Sequence, residues 1–213
     1  MRYLSMTRIF LFWFLSLGVA LVSWRFLAMG LDAAFPEMPS HIADSKQSFY
    51  LHIIASPIAL ALGVFQFLPG LRKKRPCFHR WTGRIYGFAI LIGGASGLVL
   101  ALGSFDRPVA AVGFGLLAIV WIGVTGRAIQ LAMTRQFAAH RRWMYRSMAL
   151  TFAAVTLRLI LPVLHFGADM DYAEASSYVA WACWVPNLII IELWLRKSRK
   201  ASALAEASPT ALI

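Results

Sequence analysis

Six stretches of about twenty predominantly apolar residues, the length that carries one helix across a bilayer, account for most of this chain. They lie at roughly Ile9–Leu31, Phe49–Leu68, Ile85–Gly103, Val109–Leu131, Met144–His165 and Tyr178–Leu195. With 60% hydrophobic residues, 14% charged and a mean hydropathy of +0.67, the chain suits lipid rather than water. The expected fold is therefore all-α, a polytopic membrane protein of six transmembrane helices with short loops. Residues 1–200 form a single bundle in this reading, and 201–213 a short cytoplasmic tail. The first run follows a basic stretch, as a signal peptide would. Its apolar part is too long for that, and AMGLDA is a poor cleavage site, so it is read as a membrane helix.

The 21 basic and nine acidic residues give a net charge of +12, which on a soluble domain would suit nucleic acid. Their placement argues otherwise. Six helices put both chain ends on one side, and 17 cations fall on that side. They are Arg2 and Arg8; Arg72, Lys73, Lys74, Arg75, Arg80 and Arg84; Arg127, Arg135, Arg141, Arg142 and Arg146; and Arg196, Lys197, Arg199 and Lys200. Only Arg25, Lys46, Arg107 and Arg158 lie on or towards the other side. Seven acids join them there, Asp32, Glu37, Asp44, Asp106, Asp169, Asp171 and Glu174, and only Glu192 and Glu206 sit with the 17. Positive loops stay in the cytoplasm, which predicts a bacterial inner-membrane protein with cytoplasmic N- and C-termini. The expected partners are the lipid bilayer, anionic phospholipids at the cytoplasmic face, and a membrane protein or second copy of the chain; nucleic acid is not among them.

Two cysteines, Cys77 and Cys183, are too few for a disulfide framework or a cysteine metal site, and no HExxH, P-loop or CxxC is present. The third and fifth segments share an entry sequence, HRWTGR at His79–Arg84 and HRRWMYR at His140–Arg146. Aligning Trp81 with Trp143 superposes Arg80 on Arg142 and Arg84 on Arg146, as a parallel helix-pair repeat would. No pair of interrupted helices, the usual pointer to a transporter site, is visible.

These entry motifs, with His52, Gln66-Phe-Leu-Pro-Gly-Leu-Arg72, Pro76-Cys-Phe-His-Arg-Trp-Thr-Gly-Arg-Ile-Tyr86 and Leu157-Arg-Leu159, resemble the bacterial predicted-membrane-protein family called domain of unknown function 2306. The resemblance covers about residues 48–165. It implies a multipass protein and carries over no catalytic residue.

Arg158 stands in the apolar run TFAAVTLRLILPVL, about 10 Å along the axis from His165. A cation at that depth must face the bundle, meet an acceptor or anion, or snorkel outward. Its structural alternative is a bond to outer-side acids or to carbonyls freed around Pro162. His52 and His165 fall on the same side by the topology count, and Ser56 follows His52 by one helical turn. Together with Arg158 they are the expected ligand-binding residues of an outer-side pocket for a small amphiphile, metabolite or ion. No metal is assigned. If His52 and His165 met, their imidazoles would suit a b-type haem, and a quinone is the other redox alternative, with His52 as its hydrogen-bond donor. His79, Arg80, Arg84, His140, Arg142 and Arg146 form an inner basic cluster, read either as a binding surface for phosphate, carboxylate or lipid headgroups or as an ordinary positive flank. Gln66 and Asn187 are expected to join helices, and Glu192 to pair with Arg127 or Arg146. Gly83, Gly87, Gly93 and Gly97 place the third helix centrally.

Overall fold

In the computed structural model the described residues are 2–104 and 107–207. Asp106, counted among the acids above, and residues 208–213 of the tail lie outside them. Among the described residues the secondary structure is helical throughout. Helix α1 (Arg2–Ser23) is followed by three short helices, α2 (Phe26–Met29), α3 (Leu31–Ala34) and α4 (Pro39–Asp44). Then come α5 (Lys46–Gln66), α6 (Pro69–Lys74), α7 (Pro76–Leu102), α8 (Pro108–Met133), α9 (Phe137–Thr151) and α10 (Ala153–Pro162). A π-helical turn (Val163–Gly167) precedes α11 (Tyr172–Ala182) and α12 (Val185–Ala207). Six segments are long and apolar enough to cross a membrane, Met6–Met29, Lys46–Gln66, Pro76–Leu102, Pro108–Met133, Phe137–Gly167 and Tyr172–Lys200.

The helices outrun the hydropathy. The third begins at Pro76 rather than Ile85 and the fifth at Phe137 rather than Met144, so both HR-containing entry motifs are helical. Hydropathy marks the hydrocarbon, whereas Arg and Lys are good helix formers and carry the backbone ladder on through the interface. Pro76 and Pro108 open α7 and α8 at a position whose N–H has no partner within the helix anyway. The last span likewise continues as helix to Ala207, into the segment expected to be tail.

Spans five and six are both interrupted, which was not visible in the sequence. Pro162 cannot donate to the preceding turn, and the chain widens into the π turn directly after it. Cys183 and Trp184 separate α11 from α12 just ahead of Pro186. There the Asn187 amide donates to the Cys183 carbonyl (2.9 Å), to Thr156 Oγ1 (3.0 Å) and to the Ala149 carbonyl (3.3 Å), joining the sixth span to the fifth.

Helix α7 lies between α5 and α8; α8 also packs on α9 and α11, α1 on α5 and α10, and α12 on α9. Glycines permit this. A Cβ on Gly93 would stand 2.6 Å from Ser56 Oγ of α5, and one on Gly94 would stand 2.7 Å from Ile122 of α8. In lipid such close backbone approach replaces the hydrophobic driving force that water supplies. Phe10 and Phe14 of α1 project outward.

The centre is polar but satisfied. Thr151 Oγ1 donates to the Ser147 carbonyl (2.8 Å) and accepts from Trp121 Nε1 (2.9 Å). With its one proton thus used, it must accept from Tyr86 Oη (2.9 Å); Tyr86 then accepts from Ser147 Oγ (2.8 Å), and Ser147 from Thr125 Oγ1 (2.7 Å). This chain of hydroxyls locks α7, α8 and α9 together at mid-bundle, each bond of that kind contributing about 0.5–1.5 kcal/mol. At one end of the bundle Gln66 Nε2 donates to Thr82 Oγ1 (2.8 Å) and joins α5 to α7.

Candidate functional site

His52 stands about two turns into α5. Its position is set by α7: a Cβ on Gly97 would lie 2.9 Å from Nδ1, so only a glycine there admits the ring. Nδ1 is 2.8 Å from the Gly93 carbonyl. A carbonyl only accepts, so Nδ1 carries the proton, and in the neutral ring Nε2 holds a lone pair. Nε2 makes no hydrogen bond within the described protein. Ser56 Oγ sits 3.4 Å from Nδ1, one turn deeper.

The ring lines a cavity of about 300 Å³ in the half of the bundle remote from the Arg- and Lys-rich face. Phe35, Met38, His41 and Tyr172 surround its mouth, and Trp121 and Thr151 lie at its floor. From Ala110 to Trp121 along α8 it runs roughly 16 Å. Phe49, Leu60, Phe114, Leu157 and Val179 make the walls apolar.

Arg158, on α10, lines the same cavity. Its Nη1 donates to the Ala154 carbonyl (3.0 Å) one turn back, and the rest of the guanidinium fork has no hydrogen-bond partner among the described residues, with Tyr172 within electrostatic reach. No described acid lines the cavity. The alternative expected for a purely structural Arg158, bonding to acids or to carbonyls around Pro162, is not what forms. Arg25, stacked on Phe35 (4.6 Å) and bonded to the Ala34 carbonyl, is close enough for its charge to act on Arg158. Arg158 in turn acts on His52. The cavity thus presents the forked donor of Arg158 and the acceptor lone pair of His52 within apolar walls, with the Arg107 guanidinium also in its lining and no described carboxylate there.

His165 is not part of it. The π turn aims its Nδ1 at the Met170 carbonyl (2.8 Å), with the ring against Phe166 and Tyr172, and it does not line the cavity. The structure therefore brings His52, Ser56 and Arg158 together and leaves His165 outside. The two-imidazole arrangement that a haem would require of His52 and His165 is not formed, because the turn after Pro162 carries His165 away. The tautomer also reverses the role expected of His52 towards a quinone, since a neutral Nε2 accepts rather than donates. No group of three or more metal-ligating side chains occurs among the described residues.

At the opposite end, His140 Nδ1 bonds to the Ala128 carbonyl (2.7 Å). His79 lies within electrostatic reach of both Arg72 and His140, with its Nδ1 buried and unbonded. Arg84 stacks on Trp81 (4.9 Å) and Arg146 on Trp143 (5.2 Å), so the two WxxR motifs adopt the same local contact. Arg146 also forms a two-pronged ion pair with Glu192, while Arg127 turns to Gln130. That pairing commits Arg146 to the bundle. Arg80 is exposed and Arg142 half-buried.

Sequence reasoning missed the floor and the mouth. Trp121 and Thr151 looked like any other residues of apolar spans. His41, whose Nε2 meets Ser104 Oγ (2.6 Å), and Phe35 stand in the connection between the first two spans, where no apolar run or motif marks them.

Six lipid-length helices around a cation-bearing cavity define a polytopic membrane protein. The family model described as predicted membrane protein (DUF2306) matches residues 49–195, and the chain belongs to that family. The match extends through the sixth span, past the residue range over which the motifs alone suggested it. No curated protein and no solved structure matches the chain.

Proposed function

We propose that this protein binds a small amphiphile in the cavity, with the ligand's anionic head at Arg158 and its apolar body among the deeper walls. Arg158 carries the reading. A guanidinium within a membrane bundle is expensive, and such residues face a cavity, pair with acids or mark a substrate path. This one faces a cavity and has a single backbone bond. His52 and Ser56 are the neighbouring polar contacts. The cavity volume falls at the lower end of the range of small-molecule sites, about 300–1,000 Å³. The cation bias supports N- and C-termini in the bacterial cytoplasm and an inner-membrane location, and on that reading the cavity is periplasmic. It also supports anionic phospholipid against His79, Arg80, Arg84, His140 and Arg142 at the cytoplasmic face.

Thermal unfolding of the detergent-purified protein with decanoate, and separately with decanol, tests the binding reading. Both have the same tail and only one has the charge. Decanoate should raise the midpoint saturably and decanol should not. Equal shifts, or none, would remove the anionic-head reading.

A further inference from the structure

Two of the polar groups lining the cavity, which also include Arg107 and His41, are unlike in what they offer a ligand: a cationic donor fork on Arg158 and a neutral lone pair on His52 Nε2. A fully ionised headgroup satisfies the first and is repelled by the second. A protonated carboxyl group satisfies both, because its carbonyl oxygen accepts from the guanidinium while its O–H donates to the imidazole. We infer that the cavity takes a medium-chain carboxylic acid together with one proton, and that His52 Nε2 is where that proton is held. This rests on the binding reading above and goes further, naming the head group and its protonation.

The proton balance is simple. The acid enters as its carboxylate and a proton from water, or as the neutral acid; in either case the site gains one proton per ligand. Within the site the proton is shared between the carboxyl oxygen and Nε2. If it passes fully to the ring, the O–H bond breaks, an N–H bond forms at Nε2, and the carboxylate is left on Arg158. Nδ1 keeps its own proton on the Gly93 carbonyl throughout, so the ring does not turn. The site's total charge is the same empty and filled.

The surroundings suit this exchange. The ionisable groups lining the cavity are Arg158 on α10, His41 on α4, Tyr172 on α11 and Arg107 just ahead of α8, with Arg25 acting on Arg158 and Glu37 on Tyr172 from beyond the lining. No lining group is a carboxylate, so no fixed anion of the lining takes the ligand's place at Arg158; the other lining imidazole, His41, has its Nε2 engaged with Ser104 Oγ (2.6 Å). The tail has a definite course, because Arg158 to Thr151 spans seven residues of the α9–α10 segment, about 10 Å, with Leu157, Leu60 and Trp121 along it.

Calorimetric titration of decanoate into the full-length protein, in buffers of different ionisation heat at neutral pH, counts the protons directly. The wild type should take up about one proton per decanoate bound, and its affinity should fall about tenfold for each pH unit above neutrality. His52→Gln should still bind decanoate, through Arg158, while its proton uptake drops to near zero and its affinity loses the pH slope. Binding by the wild type with no proton uptake would overturn the inference and leave the anionic-head reading standing. Absence of any decanoate binding would overturn both. If His52→Gln does not fold, the wild-type proton count and pH slope decide alone.

Discussion

Replacing Arg158 by leucine should raise the unfolding midpoint of the unliganded protein in detergent and at the same time abolish its response to decanoate. A cation in a bundle interior costs about 2.5–3.5 kcal/mol on insertion scales, and one backbone hydrogen bond at 3.0 Å offsets only part of that. Leucine removes the charge and fills apolar space beside Leu157 and Leu161, so a gain of about 1–2 kcal/mol is expected. Stability and function trade against each other here because a binding site must keep unsatisfied the group that its ligand will satisfy. A lower midpoint in Arg158→Leu would mean that the guanidinium holds the bundle together and that its bond to Ala154 is its purpose.

What the sequence disclosed about this site, and what it withheld, follows from the range of the forces involved. Span number, the central place of α7 and the depth of Arg158 were legible, because hydropathy, small-residue spacing and an isolated charge act over one helix. The approach of Arg158 to His52 depends on how α5 and α10 each pack on α1 and α9, and no local pattern encodes it. Gly93 and Gly97 were legible as packing glycines; that one supplies a carbonyl to His52 and the other leaves room for its ring was not. His165 illustrates the opposite error. Its position along the chain matched His52 in depth, yet Pro162 ends the regular helix and the π turn sends the ring to the Met170 carbonyl. The outcome for Glu192 was half legible: two arginines were in register, and the packing of α12 on α9 selected Arg146.

The second large effect concerns packing rather than charge. Gly113→Val should destabilise the fold by about 3 kcal/mol or prevent its accumulation, whereas Gly123→Val on the same helix should be neutral. A Cβ at Gly113 would meet Ala180 Cβ at 2.8 Å, Trp181 Nε1 at 2.9 Å and the Ala180 carbonyl oxygen at 3.0 Å. The last is backbone and cannot swing aside, so α8 and α11 would have to separate, opening the cavity wall that Val179 and Cys183 provide. Gly123 has nothing within 4 Å of the same position and its valine would meet lipid. Folded yield in detergent and the unfolding midpoint check the pair. Equal tolerance at both sites would mean that the α8–α11 contact is looser than these distances require.

The central claim is that an amphiphile lies with its head at Arg158 and its tail end at Trp121. Decanoate brominated at the tail end places a heavy-atom quencher there, and tryptophan fluorescence reports its arrival. The account predicts saturable quenching that unbrominated decanoate displaces, and that disappears in Trp121→Phe. Quenching of the same size in Trp121→Phe, or quenching that never saturates, would put the acid in the detergent belt and not in the cavity.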